Sequence, residues 1–233
     1  MTEDNPIGAR SYPALPVIIN LTVKALLFAL ALFLFRRTLR WPAGWLYWGM
    51  YAAWSYVNAY VLYRRDPALL LKRLSQAPGV KEPADKVFAL ASPLLFMLTV
   101  AVCGLRADWP GGAAWLAVRA AAFAVLAMAY WLASWTLLNN SFALKAVLLQ
   151  PGQTAVSTGP YAFVRHPLYL AFALFYLCMP AALGSAAGFV PAAFAALAII
   201  ARTVFEDRFL YTNLAGYPEY SAKVRYRLVP GLW

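Results

Sequence analysis

Residues 168–205 read LYLAFALFYLCMPAAL-GSAAG-FVPAAFAALAIIARTVF: two apolar runs, Leu168–Leu183 and Phe189–Phe205, joined by five small residues. So short a linker folds the two runs back on each other as an antiparallel hairpin. Apolar runs of this kind recur upstream at Leu15–Phe35, Trp45–Tyr63, Val87–Leu105 and Ala113–Leu138. A composition of 63% hydrophobic and 12% charged residues over 233 positions is too apolar for an ordinary soluble domain. The reading is an all-α, polytopic membrane helix bundle. A crossing needs roughly 20 apolar residues, and the hairpin runs fall short of that, so five to six transmembrane helices are expected. One integral membrane domain covers 1–233, with N-terminal transmembrane helices at 1–138 and a C-terminal half at 139–233.

Lys and Arg outnumber Asp and Glu by 20 to 9, but the basic residues lie between apolar segments and form no single basic face. Nucleic acid is therefore not expected as a partner; a membrane with anionic headgroups is. Six crossings with cytoplasmic termini put Arg10, Arg64, Arg65, Lys72, Arg73, Lys81, Lys86, Lys145 and Arg165 inside. Only Arg36, Arg37, Arg40 and Arg106 fall outside, and the first three are the awkward cluster for this topology. The N-terminal stretch Met1 to Tyr12 has Glu3 and Asp4 and no basic region before a cleavage site, so no signal peptide is expected. Pro67, Pro78, Gly79 and Pro83 bracket an amphipathic Ala68–Leu74 stretch suited to a short helix on the membrane surface. Cys103 and Cys178 lie in apolar stretches and read as inert thiols. The Trp and Tyr residues of the second span read as interface anchors, with an aromatic cage as the alternative.

Two polar islands interrupt this background. The first, Gln153 to Tyr169, contains the chain's only histidine, His166. Gly159-Pro160 breaks the backbone, and Pro167 suits the first turn of the next helix, leaving Arg165 and His166 at its N-terminal mouth. Amide donors and the helix dipole there favour an anion such as a carboxylate; plain snorkelling toward the headgroups is the competing account. One histidine with no nearby Cys, Asp or Glu cluster gives no metal site. The second island is Arg202-Thr203-Val204-Phe205-Glu206-Asp207-Arg208. Arg202 and Glu206 are spaced to pair on one helical face, yet acidic residues at a membrane boundary are functional candidates by default. An acidic patch beside an anion-binding mouth could hold the two ends of a zwitterionic amino acid.

The motifs Gly159-Pro160-Tyr161, Val164-Arg165-His166-Pro167 and Tyr169, then Glu206-Asp207, Leu210, Gly216-Tyr217, Tyr220 and Val224 to Gly231, occur in that order over the last 80 or so residues. This arrangement resembles the membrane methyltransferases that include isoprenylcysteine carboxyl methyltransferase and the phospholipid N-methyltransferases. Asn139 to Phe142, Gln153 and the loop from Asp66-Pro67 to Asp85-Lys86 are similar to bacterial members, which implies a bacterial inner membrane. The resemblance implies S-adenosylmethionine as cofactor, held by a C-terminal cofactor-binding half, and a lipid or lipophilic small-molecule acceptor entering from the bilayer. It also implies that Gly159, Tyr161, His166, Pro167, Tyr169 and Glu206 line the cofactor pocket. The family usually has two adjacent glutamates where this chain has Glu206-Asp207. Catalytic candidates are Arg202, to orient a carboxylate acceptor; Glu206, to take a proton from an amine; and Asn139, to position the acceptor. Two competing readings stand beside this one. Sterol reductases, which use NADPH, share a His-Pro-x-Tyr element, and a non-enzymatic membrane protein would use both islands only to stabilise helix ends.

Overall fold

Two of the long helices turn mostly small residues inward and large ones outward. The protein is represented by a computed structural model that describes residues 14–74, 83–143 and 149–233. Its helices are α1 (Ala14–Arg36), α2 (Pro42–Arg65), α3 (Pro67–Leu74), α4 (Pro83–Leu105), α5 (Ala113–Asn139), α6 (Pro167–Leu183), α7 (Phe189–Asn213) and α8 (Tyr217–Lys223). Helix α5 buries Ala122, Leu126, Ala129, Ala133 and Thr136, a stripe at helical spacing, while Leu116, Met128 and Trp131 face outward. Helix α7 does the same with Ala192, Ala195, Ala196 and Ile199 inside and Phe194 and Leu197 outside. Small inward residues let helix backbones approach closely, and large apolar residues facing outward suit lipid contact. The all-α polytopic bundle is as expected.

Four of the helices are long and apolar enough to cross a membrane: α1, α4 from Lys86, α5 and α7. Helix α2 has the length, at 24 residues, but its Trp and Tyr side chains lower its hydropathy. Helix α6 is apolar and short; its 17 residues rise about 25 Å. The last span is longer than its apolar run, because α7 continues from Phe205 to Asn213. The added turns are polar but have local partners: Thr212 Oγ1 donates to the Arg208 carbonyl and Asn213 Nδ2 to that of Phe209. Glu206 and Asp207 therefore lie within a helix rather than at its end. Helix α3 forms where the surface helix was expected. Met1 to Tyr12 with Arg10, and Pro78, Gly79, Lys81 and Lys145, lie outside the described residues.

At one end of the bundle the α4–α5 loop meets the hairpin turn, where Trp109 N donates to the Gly184 carbonyl at 3.1 Å. Gly184 terminates α6 in the left-handed region, φ 76°, and a side chain there would collide with the Arg119 guanidinium. The opposite end gathers the C-terminus of α5, the start of α6, the last turns of α7 and α8. Both polar islands lie there.

Candidate active site

The two islands meet at one carboxylate. Asp207 is 4% exposed, and its Oδ1 accepts from Tyr217 Oη at 2.8 Å and lies 3.1 Å from Arg165 and 3.2 Å from His166 Nε2. Its Oδ2 accepts from Arg227 Nε at 2.9 Å. A carboxylate out of water is tolerable only when opposite charge and donors surround it, and four side chains from three segments do so here. The anion at the α6 mouth is thus the protein's own Asp207, and Arg165 and His166 are both turned toward it. Backbone pairing holds the arrangement together, since the amides of Arg165 and His166 donate to the carbonyls of Tyr226 and Arg227, each at 2.9 Å. The Arg227 guanidinium packs over the Trp233 ring.

Glu206, one residue away, is rotated by about 100° on the helix and belongs to a different cluster. Tyr169 Oη donates a short hydrogen bond to Glu206 Oε2 and accepts one from Arg202 Nε at 3.2 Å. Arg202 Nε is also 3.9 Å from the Glu206 carboxylate, the pair that the i,i+4 spacing allows. Arg202 is 4% exposed, whereas the Glu206 side chain keeps 24% of its surface accessible. The His166 and Tyr169 rings lie nearly parallel, 5.8 Å apart, and connect the two clusters.

Tyr161, in the 3₁₀ turn Gly159–Ala162, forms a third corner. Its hydroxyl accepts from Asn140 Nδ2 at 2.8 Å and its carbonyl from Tyr220 Oη at 2.8 Å. Burial pushes the Tyr161 phenol up to about 12, with the hydrogen bond from Asn140 opposing the shift. Tyr217 and Tyr220 are pushed up as well, chiefly by burial and then, for Tyr217, by the Asp207 carboxylate. Arg73 of α3 reaches in to donate to the carbonyls of Leu137 and Asn140 at 2.9 and 2.7 Å, closing the end of α5. Burial lowers its guanidinium from the usual value.

Gly159 has φ 60°, and a Cβ there would come within 2.7 Å of Asn139. The close approach this glycine permits is therefore to the end of α5. Asn139 itself is exposed and donates to the Trp135 carbonyl at 2.8 Å. It stands beside Gly159, and the inward-facing amide is its neighbour Asn140. Pro167 opens α6 and is fully buried. The structure thus gathers His166, Tyr169, Arg202 and Glu206 with Asp207, and places Asn139 on the outer side of the turn. Arg73, Asn140, Tyr217 and Arg227 complete the site; the last three fell within the motifs of the sequence, but their buried partners did not follow from it, and Arg73 had no such signal.

Beneath the Tyr169–Arg202–Glu206 cluster lies an apolar cavity of about 290 Å³. Phe88, over which the Arg202 guanidinium sits at 5.2 Å, is part of its wall. A polar end opening onto an apolar chamber is the form of a site for an amphiphile.

Residues 116–212 match the family model described as the Isoprenylcysteine carboxyl methyltransferase (ICMT) family. That stretch, less than half of the chain, is similar to this family. It runs from the first turns of α5 almost to the end of α7, and so includes Asp207, both polar islands and the hairpin. The matched stretch omits α1, α2 and α4, which supply part of the cavity wall, and the segment carrying Tyr217 and Arg227. No curated protein matches the chain. The matched family is described as one of carboxyl methyltransferases.

Proposed function

We propose that the protein transfers a methyl group from S-adenosylmethionine to a lipophilic acceptor, with a carboxylate as the favoured acceptor group. The observation that carries this reading is the adjacency of a charged, partly accessible cluster, Tyr169–Arg202–Glu206, to an apolar cavity within the bundle.

The residues present fit the donor. The accessible part of Glu206 suits an ammonium, and Tyr161, Phe163 and Trp135 give the same end aromatic surface, with Phe163 63% exposed and its ring 6.3 Å from that of Trp135. Gly159, His166, Pro167 and Tyr169 hold the turn and helix start that shape this wall. When bound, the sulfonium supplies an activated methyl with a good leaving group, so no covalent nucleophile is needed from the protein. What remains for the protein is alignment and exclusion of water. Arg202, fixed by Tyr169 and Glu206, presents positive charge at the mouth of the cavity, where it orients an acceptor carboxylate. With an amine acceptor, Glu206 takes the proton. Asp207 holds Arg165, His166, Tyr217 and Arg227 in one arrangement, so its role is positioning. The site faces the cytoplasm, where the basic residues of the loops collect.

The test is incubation of the purified protein in lipid nanodiscs with methyl-labelled S-adenosylmethionine and a membrane lipid extract. Label entering the organic phase and released as methanol by mild base identifies a methyl ester. Base-stable label identifies the phospholipid N-methyltransferase alternative, and no transfer refutes the proposal.

A further inference from the structure

Two polar groups in the wall of the apolar cavity have partners within the protein. Trp54 Nε1 donates to Ser134 Oγ at 2.9 Å, and Tyr176 Oη donates to the Ser92 carbonyl at 3.1 Å. Such pairing is the rule inside a membrane bundle, where an unmade hydrogen bond has no bulk water to replace it. Tyr47 departs from the rule. It is 3% exposed and lines the cavity, yet among the described residues its hydroxyl makes no hydrogen bond. Nor is that oxygen sealed within packed atoms, as the unpartnered Asn20 Oδ1 is. The little surface left to so deeply buried a side chain opens onto the cavity.

Tyr130 of α5 repeats the pattern. It lines the same cavity, its carbonyl accepts from Ser134, and its hydroxyl has no partner among the described residues. The two phenols lie near enough to interact electrostatically. Ring contacts hold both in place: Phe28 meets Tyr47 edge-on at 6.0 Å, and Tyr130 packs against Trp54 at 5.2 Å and Phe175 at 4.6 Å. A tyrosine has only two side-chain torsions, so packed rings of this kind fix where their hydroxyls point.

Convergent donors in an otherwise apolar chamber are what orients a ligand in a binding site. Water can satisfy such hydroxyls while the chamber is empty. A ligand that displaces this water with hydrocarbon alone leaves both donors bare, whereas one carrying an oxygen at their level restores the lost bonds. A carbonyl oxygen has two lone pairs and can accept from both.

We propose that the cavity takes an apolar molecule with a hydrogen-bond-accepting oxygen, a carbonyl foremost, within its body, and that the Tyr47 and Tyr130 hydroxyls recognise that oxygen. That this molecule is the acceptor rests on the methyl-transfer reading. Its reacting carboxylate then meets Arg202, whose guanidinium covers the cavity residue Phe88, and its second oxygen meets the two tyrosines. A plain hydrocarbon tail is the poorer ligand.

The test uses dodecanoic acid and its 4-, 6-, 8- and 10-oxo analogues, titrated by calorimetry into the full-length, S-adenosylhomocysteine-loaded protein in one detergent. The best oxo acid is expected to bind at least tenfold more tightly than dodecanoic acid. Tyr47→Phe, which removes only the hydroxyl, should reduce that preference at least threefold. Tyr47→Phe/Tyr130→Phe should abolish it while leaving the affinity for dodecanoic acid undiminished. Since the Tyr47 hydroxyl has no protein partner, ligand-free Tyr47→Phe should melt no more than about 2 °C below wild type; a larger fall would reveal a structural hydrogen bond and overturn the proposal. No preference for any oxo acid, a preference that survives in the double variant, or no binding of any compound also overturns it. Oxygen-selective binding with no methyl transfer to these acids or to a membrane lipid extract sustains the recognition and overturns the methyl-transfer reading instead.

Discussion

Replacing Asp207 by Asn keeps the shape of the side chain and removes its charge, which isolates what the carboxylate does. Arg165 and His166 have side chains only 9% and 4% exposed, and each takes Asp207 as its acidic partner; Arg227 is 33% exposed and can turn to water. Removing one partner of a buried ion pair costs about 3–5 kcal/mol, because the other charge is left without compensation. The amide can still accept from Tyr217, so the lower half of that range, about 3–4 kcal/mol, applies. For a chain of this size about 1 kcal/mol shifts the midpoint by roughly 2–4 °C, so a fall of about 10 °C is expected. The assay is thermal unfolding in one detergent at one protein concentration, followed by tryptophan emission, with Asp207→Glu as control for charge without correct reach. An Asp207→Asn protein within about 2 °C of wild type would refute the account of Asp207 as the point on which the two islands close.

Glu206→Gln should cost less, about 1–3 kcal/mol, because the side chain is a quarter exposed and the amide oxygen still accepts from Tyr169, while buried Arg202 loses a carboxylate at 3.9 Å. Methyl transfer should nonetheless fall at least a hundredfold, read by labelled transfer beside a melting curve. Gly159→Ala places a Cβ into Asn139 at φ 60° and should destabilise by about 1–3 kcal/mol. The double variant with Asn139→Ala should recover part of that loss, and strictly additive melting shifts would contradict the contact. Arg73→Ala leaves the Leu137 and Asn140 carbonyls without their charged donor, a loss of about 1–3 kcal/mol by denaturation that Arg73→Lys should partly restore. For pH, Tyr161 is raised to about 12 from the usual value of about 10. Its contribution is therefore full below about pH 10 and lost as pH rises toward 12. Melting temperatures should hold to pH 10 and fall beyond it, less steeply in Tyr161→Phe.

The spans were legible in the sequence because hydropathy is a local property. Leu15–Phe35 and Ala113–Leu138 are within one residue of α1 and α5 at each end. Helix α7 was longer than its apolar run because Glu206 to Asn213 look like a loop to hydropathy, while their hydrogen bonds to the preceding turn keep them helical. The site divides in the same way. The spacing of Arg202 and Glu206 anticipated their pairing, and Pro167 at the head of α6 followed from its missing N–H. That His166 and Arg165 would turn to Asp207 was not legible, since it depends on segments 165–166, 207, 217 and 227 converging. The only trace was that Tyr217 and Arg227 lie among the ordered motif residues. Asn139 and Asn140 show the limit of sequence reading most plainly: one position on a helix is about 100°, and it separates an exposed amide from the one bonded to Tyr161.

The central claim is most directly tested by calorimetric titration of S-adenosylhomocysteine into the purified, lipid-supplemented protein, with NADPH titrated in parallel. The account predicts saturable binding of the nucleoside at one site, lost in Glu206→Gln, and no heat from NADPH. Saturable NADPH binding with none of S-adenosylhomocysteine would contradict it in favour of a reductase, and no binding of either would contradict it in favour of a protein whose polar islands only stabilise helix ends.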